Sequence, residues 1–136
     1  MSRPKVMKAV PRYLLQKILY LAHMIHLGRT GEPLVNGRFE AWDYGPVQPN
    51  LYKKVAMFGD SPIQDVFFDR PISDEAPETR TIDEVSESLL TKSPGQLVAI
   101  THWDHGAWAR SYRPNVRGIV IPDSDILDEY RARNAA

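Results

Sequence analysis

Between Pro33 and Pro49 the chain carries three prolines and two glycines within seventeen residues. A proline inside a helix removes one hydrogen bond and clashes with the preceding turn, so no helix of any length spans this stretch. The fold must therefore turn around an extended segment here. Within it, Arg38-Phe39-Glu40-Ala41-Trp42-Asp43-Tyr44 alternates polar and apolar residues, the period of a strand with one face covered. Leu34–Val35 and Phe39–Trp42 read as short extended segments around a turn at Asn36–Gly37, a strong hairpin dipeptide.

Helical patterns lie on both sides. From Tyr13 to Leu27 the apolar residues Leu14, Ile18, Leu21, Ala22 and Ile25 repeat at helical spacing, and Leu15, Leu19 and Met24 widen that face. A helix so nearly encircled by apolar residues belongs at the centre of a core. Arg12, Gln16, Tyr20 and His23 form its polar stripe, and Gly28 is the expected stop. Pro49 opens a second helix to Phe58. Thr81-Ile82-Asp83-Glu84 has capping-box spacing and predicts a third helix through Leu90. Ser93-Pro94-Gly95-Gln96 repeats that logic for a fourth. Gly118-Ile119-Val120-Ile121-Pro122 predicts a strand, and Asp123 or Ser124 is placed to cap a last helix bearing Ile126, Leu127 and Tyr130. Val66-Phe67-Phe68 reads as a short strand or a loop anchor. These elements define an α+β fold, mostly helical, with a small two- or three-stranded sheet. One domain is expected over residues 13–131, with a basic lead-in at 1–12 and a flexible tail at 132–136.

Composition closes off several classes. The chain has 136 residues and no cysteine, which excludes disulfides, thiolate metal sites and cysteine nucleophiles. Seventeen basic residues equal seventeen acidic ones, so no bulk positive field draws in nucleic acid. The longest apolar stretch, 14–27, contains Gln16, Lys17, His23 and His26 and is too short for a membrane span. The expectation is a soluble cytoplasmic protein. The charges are segregated, however. Residues 1–58 hold nine basic and three acidic side chains, and nine acids lie between Asp60 and Glu87 against Arg70 and Arg80. Either the two halves compensate each other on packing, or an acidic patch is offered to a basic partner.

No catalytic set assembles. No serine sits in a nucleophile elbow, and neither a phosphate-binding glycine loop nor a dinucleotide fingerprint is present. Thr101-His102-Trp103-Asp104-His105 is the richest candidate for a metal-dependent hydrolase. Yet paired histidine ligands on one helix face sit four apart, and His102 and His105 are three apart. The alternative is a helix end whose polar residues cap carbonyls before Gly106. No metal or cofactor is expected. What stands out is rigid and aromatic: Trp42, Tyr44 and Tyr52 flank Gly45-Pro46-Val47-Gln48-Pro49. Tryptophan and tyrosine are common anchors of protein interfaces, and they also build cores.

At this point the sequence resembles a family. Leu15-Gln16-Lys17-Ile18-Leu19-Tyr20-Leu21-Ala22 is similar to the "L-x-K-L-L-Y-x-A" helix of the Panacea domain, the GepA/SocA-like, phage-associated antitoxins. Gly31-Glu32-Pro33-Leu34 resembles its "G-x-P-L" turn. The run from Phe39 through Trp42, Tyr44, Gly45, Pro46, Val47 and Pro49 to Tyr52 resembles its signature "F-x-A-W-x-Y-G-P-V-x-P-x-L-Y". Gly59-Asp60-Ser61-Pro62-Ile63 resembles the "G-x-x-P-I" that follows. Leu97, Thr101-His102 and Trp108 match a later "L-x-x-x-T-H…W" segment. The likeness runs from about residue 14 to 130. Members usually carry a further helix ahead of the first motif; here about a dozen residues, largely basic or proline, stand in that place.

The resemblance implies an antitoxin that neutralises a cognate toxin by direct binding. It further implies a proteolytic adaptor that delivers the toxin to the ClpXP protease. The candidate partner-binding residues are Trp42, Tyr44, Pro46, Val47, Tyr52, His102 and Trp108. Simple occlusion of the toxin and DNA-binding autorepression through the basic lead-in are the competing modes.

Overall fold

The structure is a computed structural model that describes residues 12–58, 67, 73 and 75–135. The basic lead-in over 1–11, most of the acidic stretch between 59 and 74, and the side chain of Tyr52 lie outside the described residues. The elements run α1 (Arg12–Thr30), β1 (Phe39–Trp42), β2 (Gly45–Val47), α2 (Pro49–Phe58), α3 (Pro77–Leu90), α4 (Pro94–Thr101), α5 (Ala107–Ser111), β3 (Val120–Ile121) and α6 (Asp123–Asn134). The fold is α+β, mostly helical, with a three-stranded antiparallel sheet.

Helix α1 is central, as its pattern predicts. Leu14, Ile18, Leu19 and Ala22 are at most 2% exposed, and α1 packs against α3, α6 and β2. Each fully buried leucine or isoleucine here stabilises the fold by about 1.5–3 kcal/mol. Its polar stripe is covered as well: Tyr20 and His23 are buried, because the sheet and α6 supply partners on that side. The expected stop is corrected: the helix runs past Gly28 and ends at Thr30. Gly31 takes the left-handed conformation (φ 78°) that ends it and donates its N–H to the Leu27 carbonyl at 2.8 Å, as in an αL cap. Gly28 serves packing instead. A Cβ at Gly28 would stand 2.1 Å from the Tyr130 ring, so the absent side chain is what lets α6 seat its tyrosine on α1.

The hairpin is displaced by one segment from its expected position. Leu34 and Val35 are buried but form no strand. Gln48 Nε2 donates to the Asn36 carbonyl at 3.2 Å, and the Asn36–Gly37 bend folds the two apolar residues inward. The hairpin joins β1 to β2 around Asp43–Tyr44, in the register Glu40↔Val47, Ala41↔Pro46 and Trp42↔Gly45. Asp43 and Tyr44 keep negative φ, and the positive φ falls on Gly45 at 114°, the pattern of a turn followed by a glycine bulge. Pro46 is tolerated because β2 is an edge strand, where a missing N–H costs least. Residues read as helix breakers thus form a strand.

Helix starts divide between expectation and correction. Ser93 caps α4 in a full capping box: its hydroxyl accepts the Gln96 N–H at 3.2 Å, and Gln96 Oε1 accepts the Ser93 N–H at 2.8 Å. By contrast α3 begins at Pro77, whose fixed φ suits a first helical position. Thr81 is buried inside that helix and donates to the Pro77 carbonyl at 3.1 Å. Neither Asp123 nor Ser124 caps α6. Pro122 holds the cap position, and the Asp123 carboxylate is taken by His23 at 3.0 Å. Helix α6 continues to Asn134, into the stretch expected to be a flexible tail. Phe67 is 1% exposed and part of the core. The opposite charges of the two halves meet where Arg29 pairs with Glu84 at 3.3 Å.

Candidate functional site

The β1–β2 turn ends in an exposed aromatic on a braced base. Tyr44 is 79% exposed. Behind it, Trp108 Nε1 donates to the Trp42 carbonyl at 2.7 Å, and the Tyr112 hydroxyl donates to the Asp43 carboxylate. That bond holds the Tyr112 pKa above its ordinary value. The rings of His102, Trp108 and Tyr112 form one pile, with centroids 4.3 Å and 4.6 Å apart and planes 12° and 18° from parallel. Trp42 donates through Nε1 to Glu40 at 2.9 Å, and Arg38 reaches the other oxygen of that buried carboxylate at 3.4 Å. Trp42 and Asp43, the two residues before Tyr44, are thereby held in place.

Gly45 is fixed by the same pile. A Cβ there would lie 3.2 Å from His102 Nε2, and its φ of 114° disfavours a side chain in any case. His102 Nε2 is buried without a hydrogen-bond partner. Pro46 and Val47 are buried, so they shape the hairpin from beneath and offer no outer surface. Of the sequence candidates, Trp42, Tyr44, His102 and Trp108 converge at this place. Pro46 and Val47 support it, and Tyr52 belongs to α2. Tyr112 and Asp43 were not among the candidates, although they lock the turn. A single tyrosine 69 positions from its partner leaves no local pattern to find.

A cleft of about 440 Å³ opens beside the hairpin, between Glu40–Tyr44 and Asn115–Gly118. Asn115, on its far wall, has positive φ at 63°. Val116 is half exposed and Arg117 is exposed on the outer wall.

The proposed hydrolase triad does not gather. His102 is stacked on Trp108, His105 meets the edge of Trp103 at 5.4 Å, and Asp104 is exposed. Among the described residues no three histidine, aspartate or glutamate side chains come together as a metal set.

A second polar constellation was not expected from the sequence, and it is internal. Glu129, 3% exposed, accepts from the Tyr20 hydroxyl at 2.8 Å, the Ala107 N–H at 2.9 Å and Arg133 Nε at 2.8 Å. Burial and the neighbouring carboxylate hold the Tyr20 hydroxyl well above its ordinary pKa. Arg133 also donates to the Ile100 carbonyl and lies 4.7 Å over the Trp103 ring. His23 has its pKa lowered by burial, a shift the Asp123 hydrogen bond only partly offsets. Lys17, half-buried and donating to Thr101 at 3.1 Å, is likewise lowered by burial. These groups join α1 to α4, α5 and α6 and spend their hydrogen bonds on one another.

With this geometry in view, the comparisons with known proteins give the class. The family model described as antitoxin SocA-like, Panacea domain, matches residues 15–109, and the chain belongs to that family. Among curated proteins it is similar to Antitoxin SocA of Caulobacter vibrioides (strain NA1000 / CB15N). The two are 37% identical over 131 residues, covering 86% of this chain and 70% of the relative. No solved structure matches. No helix among the described residues is long and apolar enough to cross a membrane.

Proposed function

We propose that this protein is the antitoxin of a toxin–antitoxin pair, that it binds its cognate toxin through the Trp42–Tyr44 hairpin and the adjoining cleft, and that it delivers the toxin to ClpXP in the cytoplasm. The observation that carries the binding surface is Tyr44. A large aromatic 79% exposed, on a braced turn, loses little further freedom on association. Aromatic side chains of this kind dominate interface energetics. The polar groups around it are engaged in holding the shape of the turn, which supports a binding protein rather than an enzyme.

The adaptor role requires a second surface for the protease, for which the charged ends are the candidates. The test is a pull-down of the neighbouring reading frame's product beside a reconstituted ClpXP degradation assay. Tyr44→Ala should weaken capture of the toxin, and deleting residues 1–10 should slow degradation while capture persists. Proportional loss of both activities in both variants would refute separate surfaces. Full neutralisation without protease would leave occlusion as the mechanism.

A further inference from the structure

We propose that the outer edge of β3 receives an extended segment of the toxin as a fourth strand, apolar on one side and acidic on the other. This rests on the antitoxin reading and specifies how the partner is held. β1 and β3 pair as Phe39↔Ile121 and Glu40↔Val120, and the Ala41 N–H donates to the Ile119 carbonyl at 2.9 Å. In an antiparallel ladder the hydrogen-bonded pairs alternate with non-bonded ones. Ile119 and Ile121 therefore direct their backbone groups at β1. The N–H and C=O of Val120, between them, point away from it. Among the described residues nothing lies beyond that edge in the sheet, and Val120 is 43% exposed.

Natural edges are blunted by proline, charge or short length. Here Pro122 blunts the far end, leaving a short open rung around Val120. Val120 and, four residues earlier, Val116 are two of the four exposed large hydrophobics among the described residues. The segment is also basic. Arg117 is exposed and has no ion-pair partner among the described residues, and Arg113 donates only to the Arg110 and Tyr112 carbonyls. Of the carboxylates lining the cleft, Glu40 is paired with Arg38, and Asp43 accepts a bond from the uncharged Tyr112 hydroxyl. The Arg117 guanidinium, three residues from Val120 and without an ion pair among the described residues, fits an acidic strand. Main-chain bonds supply affinity in this mode, and side-chain pockets supply specificity. Here Arg117, exposed on the outer wall of the cleft, supplies the charge preference.

The probe is a blocked Glu-Val-Glu-Val-Glu-Val peptide, with its lysine counterpart, added to isotope-labelled protein. The acidic peptide should slow amide exchange at Val120, and the lysine peptide should bind about tenfold more weakly. Val120→Pro removes the outward N–H and leaves the N–H and C=O groups that face β1 in place, so its melting curve should stay near wild type while peptide and toxin affinity each fall about tenfold. Should that variant fail to fold, Arg117→Glu at an exposed position must reverse the preference between the two peptides. Unchanged exchange at Val120, or equal binding by both variants, would overturn the proposal. Protection of Val120 that rises with protein concentration alone would give the edge to a second copy of this chain and overturn it too. If Val120→Pro captures and neutralises the toxin as wild type does, the strand assignment falls and the antitoxin reading stands. If the peptide docks but wild type captures no neighbouring gene product, the antitoxin reading falls and the toxin is not the occupant.

Discussion

Two polar regions of this molecule are built to opposite ends. Around Glu129 every hydrogen bond is turned inward: Tyr20, Ala107 and Arg133 converge on one buried carboxylate. Around Asp43–Tyr44 the hydrogen bonds fix a turn whose largest side chain is left in water. Both regions use a carboxylate, a tyrosine and a neighbouring aromatic. The difference lies in where the aromatic surface ends up. In the first it fills the core and stabilises; in the second it is held ready for something else. Substitutions in the first region should therefore change stability. Substitutions at the tip of the second should change binding alone.

The strongest break is at the core itself. Ile18→Asp places an unpaired charge at a fully buried position. The cost, several kcal/mol against a total near 5–15 kcal/mol, should abolish the cooperative melt seen by circular dichroism. Next, Glu129→Ala strands a buried tyrosine hydroxyl, an amide and a guanidinium together, and should cost about 3–5 kcal/mol in urea unfolding. A loss below about 1 kcal/mol would show that water replaces the carboxylate, and the contrast between the regions would weaken.

The pH response should come from His23. Its folded pKa lies below the ordinary value because burial outweighs Asp123, so the unfolded chain takes up the proton first as pH falls. Stability from the neutral ring is full above about pH 6.5 and is lost as pH drops from there toward the folded value, by at most about 1.4 kcal/mol per unit. Melting temperatures from pH 8 to 5 should show a plateau and then a decline, and His23→Gln should flatten the decline. The smallest stability effect is expected at Tyr44→Ala, within about 0.5 kcal/mol of wild type, although the same variant should lose toxin. A large shift in its melt would remove the distinction between the two regions.

The sequence made the helices legible and the polar wiring much less so. Local signals were readable: the period of α1, the Ser93 capping box, proline at the start of α2, and the β-branched run of β3. The hairpin was misplaced because Asn36–Gly37 carries a stronger turn signal than Asp43–Tyr44. What decided between them was Gly45 and Pro46, whose conformations suit a bulge and an edge strand, together with the His102–Trp108–Tyr112 pile behind them. The pile, the Glu129 cluster and the His23–Asp123 contact join residues far apart in the chain. Each was invisible to periodicity.

The Tyr20–Glu129 bond has one more consequence. Its two ends are 109 positions apart, and those of His23–Asp123 are 100 apart. During synthesis α1 thus waits for α6 before its buried polar groups find partners. Long-range closure of this kind is slow relative to local helix formation. A ribosome that stalls before Asp123 leaves a chain whose central helix has no mate for Tyr20 or His23, and such a product should be digested rapidly by a nonspecific protease under conditions where the 136-residue chain resists. Protection against the toxin would then begin only once α6 has been translated.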